Sequence, residues 1–119
     1  MNTFDDKLAR ERETLSGYRL MNTSTVRVER LDEVLSRELA PNRQIDFLSV
    51  DAEGFDLKVL ASNDWSRFRP RCVLVEALNA SLATVSANPV CELLASVGYE
   101  LYAKTLNTLV FRDGRRRWD

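Results

Sequence analysis

The stretch IDFLSVDAEGFDLKVL, Ile45–Leu60, decides how the rest of the chain is read. Ile45 and Phe47 fall on one face of an extended segment, Leu48 and Val50 on the other. A strand apolar on both faces belongs in a parallel sheet with helices on each side. The run stops at Asp51, Ala52, Glu53 and Gly54, and Phe55–Ala61 then reads as a helix with Leu57 and Leu60 on its inner edge. Ligands of open parallel sheets bind beyond the carboxyl ends of the strands. The two carboxylates therefore stand where a site is expected. If the backbone stays extended past Val50, Asp51 and Glu53 point the same way, and Gly54 lets the chain turn into the helix.

Working outward, Cys72–Glu76 (CVLVE) repeats the pattern, a second buried strand that ends in a carboxylate. The connector SNDWSRFRPR offers Trp65 and Phe68 as lids on the core. NASLATVSANP reads as a loop with a helical turn inside it. Pro89 suits the first turn of a helix through Val97, which Gly98 closes. YELYA and TLVFR form a hairpin around Lys104–Asn107. On the N-terminal side, residues 4–16 predict a helix capped by Thr3. TVRVERL predicts a short strand with Val26 and Val28 on one face, and Leu31, Val34, Leu35 and Leu39 share one face of a helix ended by Pro41 and Asn42. The tail DGRRRWD reads as polar and frayed. Alternation of strands and helices before a final hairpin predicts an α/β sheet with right-handed crossovers.

The 119 residues suffice for a single small domain, and a net charge of −1 does not suggest a nucleic-acid partner. No apolar stretch approaches the roughly 20 residues of a membrane helix, and the charged N-terminus lacks the apolar core of a secretory signal. Cys72 and Cys91 lie far apart in no metal-ligand spacing, which predicts two buried thiols in a reduced, cytoplasmic protein. With no histidine in the chain, imidazole triads and histidine metal sites are excluded. Three arginines in Arg115–Arg117 are too few to argue nucleic-acid binding, and read as a solvated tail.

Asp51, Glu53 and Glu76 could together accept protons, hold hydroxyls or bind a cation. Acidic residues at the start of a helix are also favoured by its dipole, by about 0.3–1 kcal/mol each. That account suffices for Asp56 and competes for the other three.

VRVERLDEVL, then IDFLSVDAEGFDLKVLASNDWSRFRPRCVLVE, then GYELYAKTLNTLVFRD resemble the C-terminal half of FkbM-type methyltransferases, over Val26–Arg112. The D-x-E-G between a buried strand and x-x-V-L is the most specific part. The resemblance implies an S-adenosylmethionine-dependent O-methyltransferase acting on a hydroxyl of a sugar or small molecule. It implies a partial Rossmann-like class I sheet in which Ile45–Val50 is the fourth strand, Cys72–Glu76 the fifth and the hairpin the last two, with the N-terminal strands missing. Asp51 would orient or deprotonate the acceptor hydroxyl, Glu53 would contact substrate or ribose, and Glu76 would contact substrate. Such enzymes hold the cofactor on a Gly-rich turn, but Gly17, Gly54, Gly98 and Gly114 are all far apart, so no cofactor-binding residue is assigned.

Residues 1–119 are thus expected to form one incomplete domain, inactive alone. Its Ile45–Val50 edge would be exposed unless the Val26–Val28 strand covers it, which predicts self-association or pairing with a partner chain. Two alternatives have no methyl transfer: a non-catalytic α/β interaction module that pairs through this edge, and a small metal-dependent enzyme using Asp51, Glu53 and Glu76.

Overall fold

The computed structural model describes residues 7, 10, 11, 14, 22–78 and 80–118. Of the helix predicted over residues 4–16, only four positions fall within these: Lys7, Arg10 and Glu11 are helical and Thr14 is in a turn, and the rest lies outside the described residues.

Helix α1 spans Leu31–Glu38, strand β1 Phe47–Val50, helix α2 Asp56–Ala61, strand β2 Cys72–Glu76, helix α3 Pro89–Ser96, strand β3 Tyr99–Lys104 and strand β4 Thr108–Asp113. The four strands form one mixed sheet in the order β1-β2-β4-β3. β1 and β2 run parallel, with Phe47 opposite Cys72 and Val50 opposite Val75. β4 lies antiparallel to β2, and the β3–β4 hairpin carries an irregularity between Leu101 and Ala103. From β1 onward the expected order of strands and helices is observed, and the loop before α3 holds the expected helical turn at Val85–Ala87.

One face of the sheet holds the core. Val50, Val73, Val75, Leu109 and Phe111 pack with Leu60 of α2, with Val90, Cys91 and Leu94 of α3, and with Trp65. At six residues α2 is too short to persist alone. It forms because Leu60 is fully buried and because the Trp65 indole N–H donates to the Leu60 carbonyl (3.0 Å). Asn88 caps α3, its side chain accepting from the Val90 N–H, and Pro89 sits in the first turn as expected. α1 has no side-chain cap of its own; the Ser62 hydroxyl, at the end of α2, accepts from the Leu31 N–H instead (2.9 Å).

Three expectations are corrected. Residues 22–30 form no strand, and Val26 and Val28 are exposed, because alternation gives a strand only where a ladder partner and an apolar face are supplied. β1 is covered on one face alone: Phe47 is 66% exposed, and no described helix lies over the row Phe47, Cys72, Leu74 and Val110. Cys72 is accordingly only half-buried, while Cys91 is buried.

The tail is also ordered. Its Arg116 guanidinium donates to the Gln44 side-chain oxygen (2.6 Å), its Trp118 indole donates to the Asp113 carbonyl (3.1 Å), and Arg71 lies over the Trp118 ring.

These contacts converge on a buried ion pair. Arg69 donates to both carboxylate oxygens of Asp113 (2.6 and 3.3 Å), to the carbonyl of Trp65 (3.1 Å) and to that of Val97 (2.9 Å). It also stacks on Tyr99, whose ring meets Trp65 edge-on and whose hydroxyl donates to the Pro70 carbonyl. Burial pushes the Asp113 carboxyl up, but donors from Arg69, the Arg115 N–H and Arg116 outweigh it and hold it below the usual carboxylate range. A depressed carboxyl contributes stability above its unfolded value, about 3.9. That contribution is lost as pH falls through the folded value. Asp113→Ala leaves the guanidinium buried without its partner and is expected to cost about 3–5 kcal/mol in urea denaturation at pH 7, with the difference from wild type shrinking below about pH 4. A loss under 1 kcal/mol would show that solvent already screens the pair.

Candidate functional site

β1 and β2 are parallel neighbours, so their carboxyl ends deliver Asp51 and Glu76 to the same end of the sheet. Glu76 feels, after burial, the charges of Asp51, Glu53 and Asp56 in that order, and a hydrogen-bonding contact with the Asp51 carboxyl. The three residues expected from sequence are therefore brought together, and a fourth joins them.

The way they are brought together differs from expectation. The chain does not stay extended: Glu53 adopts φ +49° and Gly54 φ +95°. The Phe55 N–H donates to the Ala52 carbonyl (3.1 Å), closing a tight turn with Glu53 and Gly54 at its centre. Two successive positive φ values are the pattern of a type I′ turn. Alternation along a strand thus cannot place Glu53 beside Asp51; the turn does. A glutamate in the left-handed region is strained, and such residues persist where surrounding structure holds them.

Asp56 does the holding. One oxygen of its carboxylate accepts from the Ala52 N–H (3.0 Å) and the other from the Gly54 N–H (3.3 Å). Its role is to brace the turn from inside α2, beyond the dipole contact expected of it. Sequence reasoning missed this, although an acid two residues after a glycine turn carries the signal: its side chain can reach back to the N–H groups the turn leaves open.

Chemically the cluster is a set of oxygen acceptors at one end of the sheet. Among the described residues no group of three or more carboxylates, thiols or imidazoles is arranged to hold a metal ion, which leaves the metal-dependent alternative without a ligand set. Two surface depressions, of about 460 and 290 Å³, lie elsewhere, the first against α1 and Arg67, the second between α3 and β3.

Burial and the neighbouring charges push the Glu76 carboxyl above the ordinary glutamate range. A raised carboxyl contributes stability below its unfolded value, about 4.3, and that contribution is lost as pH rises through the folded value. Glu76→Gln is therefore expected to unfold at a higher temperature than wild type at pH 7, and to flatten the decline in stability above about pH 4.3. A variant no more stable than wild type at neutral pH would mean that the carboxylates do not repel one another. Gly54→Ala tests the turn: a Cβ there meets nothing within 4 Å, so only backbone strain remains. The expected loss in chemical denaturation is about 1–2 kcal/mol, and no measurable loss would mean that the turn opens freely.

No curated protein and no solved structure gives a significant match to the chain. The family description "Methyltransferase FkbM domain" matches residues 2–101. That span contains β1, the Asp51–Gly54 turn, α2, β2, Glu76 and α3, and the chain belongs to the FkbM methyltransferase domain family.

Proposed function

We propose that this chain is the acceptor side of an S-adenosylmethionine-dependent O-methyltransferase of the FkbM type, acting on a hydroxyl of a sugar or small molecule. The observation that carries the reading is the braced D-x-E-G turn at the carboxyl end of a parallel strand, inside a family match that covers most of the chain. The sheet order β1-β2-β4-β3 supports it, being the order expected if β1 and β2 are the fourth and fifth strands of a Rossmann-like class I sheet and the hairpin its last two. Family membership does not favour the interaction-only alternative.

In this reading Asp51, exposed at the strand end, accepts the proton of the acceptor hydroxyl or orients it. Glu76, with its raised affinity for a proton, stands beside Asp51 and donates a hydrogen bond to it or to a second substrate oxygen. Glu53 is presented by a strained turn that Asp56 locks, so its carboxylate is aimed before substrate arrives.

S-adenosylmethionine supplies the electrophilic methyl group in this chemistry. The described residues do not fit its nucleoside: neither strand end carries a Gly-rich turn for close backbone approach, and the carboxylate end lines neither depression. In this reading the donor pocket comes from polypeptide packed against the outer edge of β1, and residues 1–119 are an incomplete domain, inactive alone.

Two titrations followed by NMR test this reading. Hydroxylated sugars and alcohols are expected to shift the amide resonances of residues 51–56 and 76 in wild type and not in Asp51→Asn. S-adenosylmethionine alone is expected to leave the unfolding midpoint unchanged, whereas a ligand at a hundred times its dissociation constant would add about 2.7 kcal/mol. A clear upward shift would place a donor pocket on this chain and overturn the half-site. Acceptors that shift nothing near Asp51 would remove its assigned role.

A further inference from the structure

The outer edge of β3, on the far side of the sheet from β1, pairs with no strand among the described residues. The direction of its backbone groups follows from the hairpin on its other side. The Gly114 N–H donates to the Gly98 carbonyl (3.0 Å), which makes these two glycines a bonded pair just before the ladder. Bonded and non-bonded pairs alternate along antiparallel strands. Glu100 and Arg112 are then bonded to each other. Tyr99, opposite Asp113, and Leu101, opposite Phe111, turn their N–H and C=O groups away from β4. The Asp113 N–H agrees with this phase, since it points away from β3 and donates to the Arg71 carbonyl (3.0 Å). Beyond Leu101 the irregularity in the ladder and the charge of Lys104 blunt the edge. The outward groups of Tyr99 and Leu101 have no partner among the described residues.

The same two residues line the depression between α3 and β3, together with Cys91, Ala95 and Phe111, and Glu92 stands beside them. Tyr99, Phe111 and Cys91 are buried, so the floor is apolar, whereas Ala95, Glu92 and Leu101 face solvent. At about 290 Å³ the depression falls just short of the roughly 300–1,000 Å³ of ligand pockets. It has room for a side chain, not for a whole cofactor. Glu92 makes no ion pair among the described residues. Glu100, on the opposite face of β3, is held by Arg112 (3.2 Å).

We propose that β3 is a docking edge for an extended peptide of another protein, which pairs antiparallel with Tyr99–Leu101, places an apolar side chain in the depression and sets a basic residue against Glu92. The outward backbone groups require that the occupant be a strand, and the depression and Glu92 select its sequence. Side chains two residues apart along a strand share a face, so the pattern is apolar-x-basic, with x on the side of Glu100. In strand addition of this kind main-chain hydrogen bonds give affinity and pockets for alternate side chains give specificity. A second copy of the chain fits less well. The antiparallel register that satisfies Tyr99 and Leu101 of both copies puts Glu100 opposite Glu100 on the twofold axis, and like charges directly opposite are destabilising.

The test is an NMR titration of the nitrogen-15-labelled chain with capped peptides, and it does not depend on the methyl-transfer reading. The probes read Thr-Xaa-Thr-Lys-Thr-Thr, with Val, Leu or Phe as Xaa. At least one is expected to shift the amides of Cys91, Ala95, Tyr99 and Leu101 and to slow hydrogen exchange at Tyr99 and Leu101. N-methylation of Xaa, whose N–H faces β3 in this register, is expected to abolish binding. N-methylation of the Thr between Xaa and Lys, whose N–H faces solvent, is expected to leave it intact. Glu92→Lys changes an exposed side chain; it is expected to weaken binding about fivefold, and Glu in place of the peptide's Lys is expected to restore it. Three results would each overturn the proposal. No probe shifts Tyr99 and Leu101; both N-methylated peptides bind equally well, which would leave an apolar contact without strand pairing; or Tyr99 and Leu101 become protected in the free chain as its concentration rises, which would make a second copy the occupant.

Discussion

The Arg69–Asp113 ion pair is where the fold is tied. Its two residues lie 44 positions apart, on the connector before β2 and at the end of β4. Four donors of one guanidinium reach the Asp113 carboxylate and the carbonyls of Trp65 and Val97. Three chain segments, namely the connector after α2, the end of α3 and the last strand, are thereby held at fixed distances. Removing two charges from water is costly, and the cost is offset here because the remaining donors and acceptors are satisfied as well. Tyr99 and Trp65 close the pair from the sides, so the same contacts that fix the polar groups also seal the apolar core.

This tie sits at one end of β2 and the carboxylate cluster at the other. Cys72 pairs with Arg112 beside the tie, and Glu76 pairs with Thr108 beside the cluster. The division has energetic sense. The cluster is a place of strain, with Glu53 in the left-handed region and Glu76 exposed to the charges of Asp51, Glu53 and Asp56. Such an arrangement persists only if stability is drawn from elsewhere. The buried valines of β2, Val73 and Val75, transmit that support along the strand, since each is fully enclosed between the two ends.

The sheet is also one-sided. Leu60, Leu94 and the inner faces of β2 and β4 form a single apolar layer, while Phe47 and Leu74 look out from the other face with no described helix over them. An exposed apolar row ending at a parallel edge that no described strand pairs is a surface that protein normally covers. The carboxylates stand at the end of that same edge, so whatever covers the edge also decides the charge around them.

The residues alone determined much of this. The double-faced apolar run at Ile45–Val50, its repeat at Cys72–Glu76, the Pro89 and Gly98 signals and the hairpin around Lys104–Asn107 were enough to order the strands and to set Asp51 and Glu76 at one end, because burial pattern and turn chemistry are local properties of sequence. The D-x-E-G motif was legible for the same reason. The pairing of Arg69 with Asp113 was not, since a connector arginine and a tail aspartate become partners only when the sheet brings their ends together. The Val26–Val28 strand failed because alternation without a partner strand has no ladder to join. The turn at Glu53, the bracing carboxylate of Asp56 and the bare second face of β1 were likewise decided in three dimensions. Each depends on which groups are left unsatisfied once the neighbouring segments are in place, and a linear pattern carries no record of that.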